Sequence, residues 1–198
     1  MASVNNDDRS SLKGRRIAIL ATKGVEEVEL TKPKKALEEA GAKVDVIAPQ
    51  SGIKNGKIRA WDMTDWGEDI PVDVVLSTAN SGDYDALHLP GGVMNPDHLR
   101  LEPAAIEFVR SFVQDAKPIA AICHAAWTLI DAGGVRGHTM TSWPSLQTDL
   151  RNAGAEWVDR EVVQDNGLVT SRKPDDIPAY NRAMIDLFSR GASHNAAA

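Results

Sequence analysis

The feature that most constrains this chain is an alternation of short apolar runs with segments of helical spacing. RRIAILA at 15–21 precedes an amphipathic stretch from Val25 to Ala40 that stops at Gly41, and KVDVIAP at 43–49 reads as a second strand. ALHLP at 86–90 is a third strand that runs into Gly91 and Gly92. Ile106, Val109, Phe112 and Val113 recur at helical intervals within 102–116, after which Pro118 introduces the fourth apolar run, PIAAI. Strands that are apolar along their whole length need cover on both faces, so the pattern predicts an α/β fold with a mostly parallel sheet between two helical layers.

Several local features complete this expectation. Residues 50–85 hold enough Gly, Asn and Asp for a small hairpin or crossover. Beyond HTMTSW (138–143) the spacing predicts a helix over 145–152, a hairpin AEWVDREVVQDNGLVTS turning at Asp165-Asn166-Gly167, and a closing helix over 177–189. Pro33 is expected to kink its helix or start a second segment, and Gly133-Gly134 to end one. Residues 1–14 and 191–198 are polar or small without periodicity and read as flexible tails around one domain at 15–190, with His194 idle.

Charge and composition narrow the function classes. The net charge of -6 is scattered along the 198 residues rather than gathered in blocks, which gives no nucleic-acid signal and favours small molecules or proteins as partners. A single cysteine cannot close an internal disulfide, the first residues carry no secretory pattern, and no apolar run approaches the roughly 20 residues of a membrane span. The expected location is cytoplasmic. His88, His98 and His138 occur singly, which predicts no metal site, and no glycine-rich phosphate fingerprint follows the first strand, which predicts no cofactor.

In open sheets of this kind ligands bind beyond the carboxyl ends of the strands. Gly24 to Glu29, Leu89 to Gly92 and Cys123-His124 all fall there. Ala121-x-Cys123-x-Ala125 has the small residues that allow a sharp strand-to-helix elbow carrying a nucleophile. Such a site can lower a thiol pKa from about 8.5 to roughly 3.5–7.5, whereas a cysteine that merely fills the core behaves as a small hydrophobe. The pattern by itself leaves both readings open. Trp127 and Trp143 fit a pocket wall or core packing equally well.

ATKGVEEVEL, ALHLPGG, PIAAICH and TSWPSLQTDLRNAGAEWVD together resemble the ThiJ/PfpI superfamily over residues 15–190, and most closely its PfpI-type branch of peptidases, deglycases and stress proteins. The resemblance implies a flavodoxin-like α/β/α sandwich. It implies Cys123 as nucleophile, His124 as acid/base, and Glu26 as the carboxyl that approaches the sulfur, leaving Glu27 and Glu29 to favour the helix N-terminus. It also implies an oxyanion hole from the amides of Gly91, Gly92 and His124. Asp97 falls near an acidic position that reaches the histidine of a neighbouring subunit, although the loop is one residue longer and the acid one methylene shorter. Ala125-Ala126 replaces the usual Gly-Pro, and Trp143 replaces a tyrosine of some relatives.

The resemblance further implies a homo-oligomer, a dimer or dimers arranged into a hexamer. Three functions share these residues: a cysteine-dependent enzyme acting on methylglyoxal or glycated groups, a cysteine peptidase of PfpI type, and an oxidative-stress sensor that works through Cys123 oxidation. A catalytically silent interaction domain would give the four motifs no reason to converge.

Overall fold

The computed structural model describes residues 11–191. Strand β1 (Arg16–Leu20) is followed by helix α1 (Glu27–Glu39), β2 (Lys43–Ala48), the hairpin β3 (Lys57–Asp62) and β4 (Asp65–Pro71), and the short β5 (Val74–Val75). Next come β6 (Ala86–Leu89), α2 (Met94–Arg100), α3 (Pro103–Gln114), β7 (Ile119–Ile122) and α4 (Ala126–Ala132). The chain continues through β8 (Thr139–Met140), α5 (Gln147–Asn152), β9 (Glu156–Trp157), β10 (Val162–Asp165), β11 (Leu168–Ser171) and α6 (Ile177–Arg190).

Seven strands form one sheet in the order β10-β11-β7-β6-β1-β2-β5, parallel throughout except where β10 runs against β11. Alternation along β1 divides the core. Ile17 and Ile19 pack with Leu30, Leu37, Tyr180 and Phe188 of α1 and α6, whereas Ala18 and Leu20 pack with Phe108, Phe112, Leu129 and Leu150 on the other face. This is the flavodoxin-like α/β/α sandwich. The chain leaves β1 toward β2 on one side and returns to β6 on the other, so β1 marks a topological switch point.

The expected boundaries shift in four places. Leu12 is fully buried and donates its N–H to the Ala40 carbonyl (2.9 Å), so the packed domain includes residues 11–14. Residues 1–10, 192–198 and His194 lie outside the described residues. The hairpin around Asn166 (φ 43°) and Gly167 (φ 82°) comprises β10 and β11 alone, because β9 pairs in parallel with β8 in a separate two-stranded sheet. The helix expected over 145–152 begins as a 3-10 turn at Pro144–Leu146 before α5. α1, finally, runs unbroken through Pro33.

Gly133 does end α4, in the left-handed conformation (φ 80°) with the Gly134 N–H returning to the Leu129 carbonyl. Among the described residues no helix is long and apolar enough to cross a membrane.

Candidate active site

β7 delivers Cys123 to the carboxyl edge of the sheet, where the backbone turns through φ 64°, a left-handed conformation that costs a non-glycine residue about 1–3 kcal/mol. Ala121 and Ala125 are nearly fully buried and leave room for the turn, while the Cys123 carbonyl accepts the Trp143 N–H at 3.2 Å. The elbow is therefore present and held from outside. Cys123 is 7% exposed and opens onto a cleft of about 380 Å³, which Glu26, Trp61, Met63, Met94, Trp143 and Pro174 also line.

The Sγ of Cys123 lies 3.2 Å from Nδ1 of His124. The imidazole is stacked on Trp143 (5.7 Å between centroids, 24° between planes) and meets Trp127 edge-on at 5.2 Å. Burial lowers the His124 pKa to about 4, so the ring is neutral at pH 7. Burial and the Glu29 charge push the Cys123 thiol up, against the backbone N–H groups of Gly92 and His124, which favour the thiolate. The low thiol pKa expected from an elbow is thereby corrected, because desolvation of the sulfur outweighs the amides.

The carboxyl coupled to this thiol belongs to Glu29, three residues beyond the expected Glu26. Glu29 is fully buried; its Oε2 accepts the Gly91 N–H at 3.0 Å, its Oε1 has no close hydrogen-bond partner, and carboxyl and thiol shift each other's ionisation. Burial, and then the Glu26 charge, raise Glu29 to about 8, so it carries a proton at pH 7. Glu26 lies on the cleft wall, where its Oε1 accepts the Met63 N–H at 3.2 Å and burial raises its pKa. Residues i and i+3 share a helix face, so sequence spacing alone could not say which carboxyl turns under the sulfur.

Pro33 and His88 explain how α1 holds Glu29. Proline has no N–H, so at position 33 it leaves the carbonyl of Glu29, four residues earlier, without its helical partner. His88 Nε2, on β6, fills that place at 2.9 Å, and its Nδ1 lies 2.9 Å from the Tyr180 hydroxyl. A carbonyl only accepts, so Nε2 carries the proton and Nδ1 accepts from Tyr180. Burial lowers His88 to about 4, which keeps the ring neutral. The helix continues through Pro33 because a histidine from the sheet replaces the missing donor.

The glycine pair is sterically required. A Cβ on Gly91 would lie 2.6 Å from Glu29 Oε2, 2.7 Å from Cys123 Cβ and 2.8 Å from the Ile122 carbonyl oxygen. Gly92 adopts φ 81°, and a Cβ there would lie 2.7 Å from both the Glu26 nitrogen and the Gly24 carbonyl oxygen. The Gly91 N–H is committed to Glu29, whereas the N–H groups of Gly92 and His124 act on the Cys123 sulfur, that of Gly92 also on the Glu29 carboxyl. Buried Asn95 ties these loops together by accepting the Thr22 N–H and donating to the Pro90 and Gly91 carbonyls. Asn95, Glu29, His88 and Tyr180 escape sequence reasoning because only the fold brings them together.

Two expected residues stand apart. Asp97 is exposed in the first turn of α2 and interacts with Arg100 rather than with His124 of its own chain. Trp127 stands behind His124, outside the cleft, and donates Nε1–H to Asp149 at 2.9 Å. Among the described residues no group of His, Cys, Asp and Glu side chains could hold a metal ion.

A lone thiol on a strained strand-to-helix turn, with a buried carboxyl and an imidazole beside it at a switch point of the sheet, defines an α/β protein with a cysteine elbow. The DJ-1/PfpI family model matches residues 15–187, and the chain belongs to this family. It is 42% identical over 180 residues to General stress protein 18 of Bacillus subtilis, covering 89% of this chain and 99% of that one. It is 37% identical over 173 residues to Deglycase PfpI of Pyrococcus furiosus, covering 87% and 99% respectively. The crystal structure of Drosophila melanogaster DJ-1beta superposes with a TM-score of 0.79 at 27% identity, covering 88% of this chain and 90% of that one.

Proposed function

We propose that the protein is a cysteine-dependent enzyme of stress protection that acts on reactive carbonyls such as methylglyoxal or early glycation adducts. The observation that carries this reading is the coupling of Cys123 to a carboxyl that holds its proton at pH 7, inside a small apolar cleft. The thiol proton passes to neutral His124 as sulfur bonds to the aldehyde carbon, and the hemithioacetal oxygen takes a proton in turn. The amides of Gly92 and His124 face the charge that develops on this oxygen. In this reading Glu26, on the cleft wall, moves the proton from the aldehyde carbon to its neighbour. That transfer, with the hemithioacetal hydroxyl proton passing to the neighbouring carbonyl oxygen, yields a thioester, and hydrolysis by water releases a hydroxy acid and restores the thiol.

Names of relatives that include a general stress protein and a deglycase support this reading. Peptide hydrolysis fits less well, since expelling an amine calls for a proton donor and His124 titrates near 4. The same reading assigns exposed Asp97 to the His124 of a second copy in a homo-oligomer.

Lactate formed from methylglyoxal by metal-free protein tests the proposal against Cys123→Ala and Glu26→Gln. Loss of lactate in the cysteine variant and a decline of roughly 100-fold in the glutamate variant are expected. Equal lactate from wild type and Cys123→Ala would overturn it.

A further inference from the structure

A groove of about 990 Å³ lies outside the thiol cleft, at the base of the β3–β4 hairpin. Lys23, Lys54, Lys57 and Arg59 line it against a single carboxylate, Asp69, in a chain whose net charge is -6. Arg59 already engages that carboxylate at 3.4 Å. Lys23 lies 5.0 Å from the ring centroid of Trp66, which is partly exposed.

The hairpin arm places two of these cations against each other. Lys54 and Lys57 exchange both backbone hydrogen bonds (2.8 and 3.1 Å) around Asn55 (φ 52°) and Gly56 (φ 74°), a turn of the primed type. Residues paired in this way carry their Cβ atoms about 5 Å apart on one face, and like charges so placed destabilise the pair. Neither lysine makes an ion pair among the described residues. An uncompensated like-charge pair at the mouth of a cationic groove is the arrangement that a multiply charged anion relieves.

We propose that this groove is an anion site that takes a phosphate-bearing small molecule. A phosphate group offers several acceptor oxygens and more than one negative charge, which matches several ammonium and guanidinium donors converging from two chain segments. The volume accommodates more than an isolated ion, whereas the negative charge of the whole chain opposes a long polyanion. The site stands independently of the thiol chemistry, although the two adjoin: Trp66 of the groove meets Trp61 of the cleft edge-on, with centroids 5.4 Å apart.

Titration calorimetry with sodium pyrophosphate, and separately with glucose 6-phosphate, tests the site at ionic strength fixed with sodium chloride. Saturable binding of one ligand per chain is expected, weakened about tenfold or more in Lys54→Gln/Lys57→Gln and less in Lys23→Gln. Binding of the ester places an organic phosphate in the groove, and binding of pyrophosphate alone places a free inorganic one there. Without ligand the double variant should melt no lower than wild type, because the repulsion has been removed. Heats that do not saturate, or equal affinity in wild type and a folded double variant, would overturn the proposal.

Discussion

The backbone N–H of Gly91 donates to Oε2 of Glu29 across 3.0 Å, and this buried bond joins the loop after β6 to the first turn of α1 beneath the Cys123 thiol. It fixes which of two neighbouring glutamates shares ionisation with the sulfur.

The pH profile of Cys123 alkylation by iodoacetamide should therefore report on Glu29. An inflection near pH 8 is expected in wild type, belonging to the coupled pair rather than to the thiol alone. Glu29→Gln should abolish it. Glu26→Gln should keep it and move it to lower pH, because the Glu26 charge is one of the groups that raise Glu29. An inflection that survives in Glu29→Gln would return the role to another group.

Stability should vary with pH in two opposing ways. Glu29 is raised from 4.5 to about 8, so its contribution is complete below pH 4.5 and is lost as pH rises toward 8. His88 and His124 are lowered from 6.5 to about 4, so their contributions are present above pH 6.5 and are lost as pH falls toward 4. Urea unfolding followed from pH 4 to 9 should give a maximum between these limbs, and Glu29→Gln should flatten the alkaline limb alone.

Gly91→Ala should damage both fold and site, since its Cβ meets the Ile122 backbone and the Cys123 Cβ as well as the Glu29 carboxyl. A loss of about 1–3 kcal/mol is expected from urea unfolding, together with slower Cys123 alkylation. Gly133→Ala meets nothing within 4 Å and should show only the backbone cost of its positive φ, leaving alkylation unchanged.

The exchange of donors between Pro33 and His88 predicts a coupled pair. His88→Phe leaves the Glu29 carbonyl buried without a partner and should cost about 1–3 kcal/mol. Pro33→Ala restores an N–H aimed at that carbonyl, so it should stabilise the His88→Phe protein more than it stabilises wild type. Equal effects of Pro33→Ala in both backgrounds in a double-mutant cycle would remove the link.

Much of this was legible in the chain itself. Apolar runs at β1, β2, β6 and β7 alternating with helical spacing specify a parallel sheet covered on both faces, because each strand must bury both of its sides. Cys123 between Ala121 and Ala125 announces the elbow because only small neighbours permit that turn. The sequence could not choose between Glu26 and Glu29, since both satisfy helix-terminus chemistry and only the way α1 meets the sheet decides which is coupled to the thiol. Nor could it foresee that α1 would continue unbroken through Pro33, or that Lys23 would join Lys54, Lys57 and Arg59, because those outcomes depend on groups far apart in the chain. Local propensity and periodicity determined the elements and the position of the cysteine elbow. Tertiary packing decided the protonation partners, because burial and charge proximity exist only once the layers have closed.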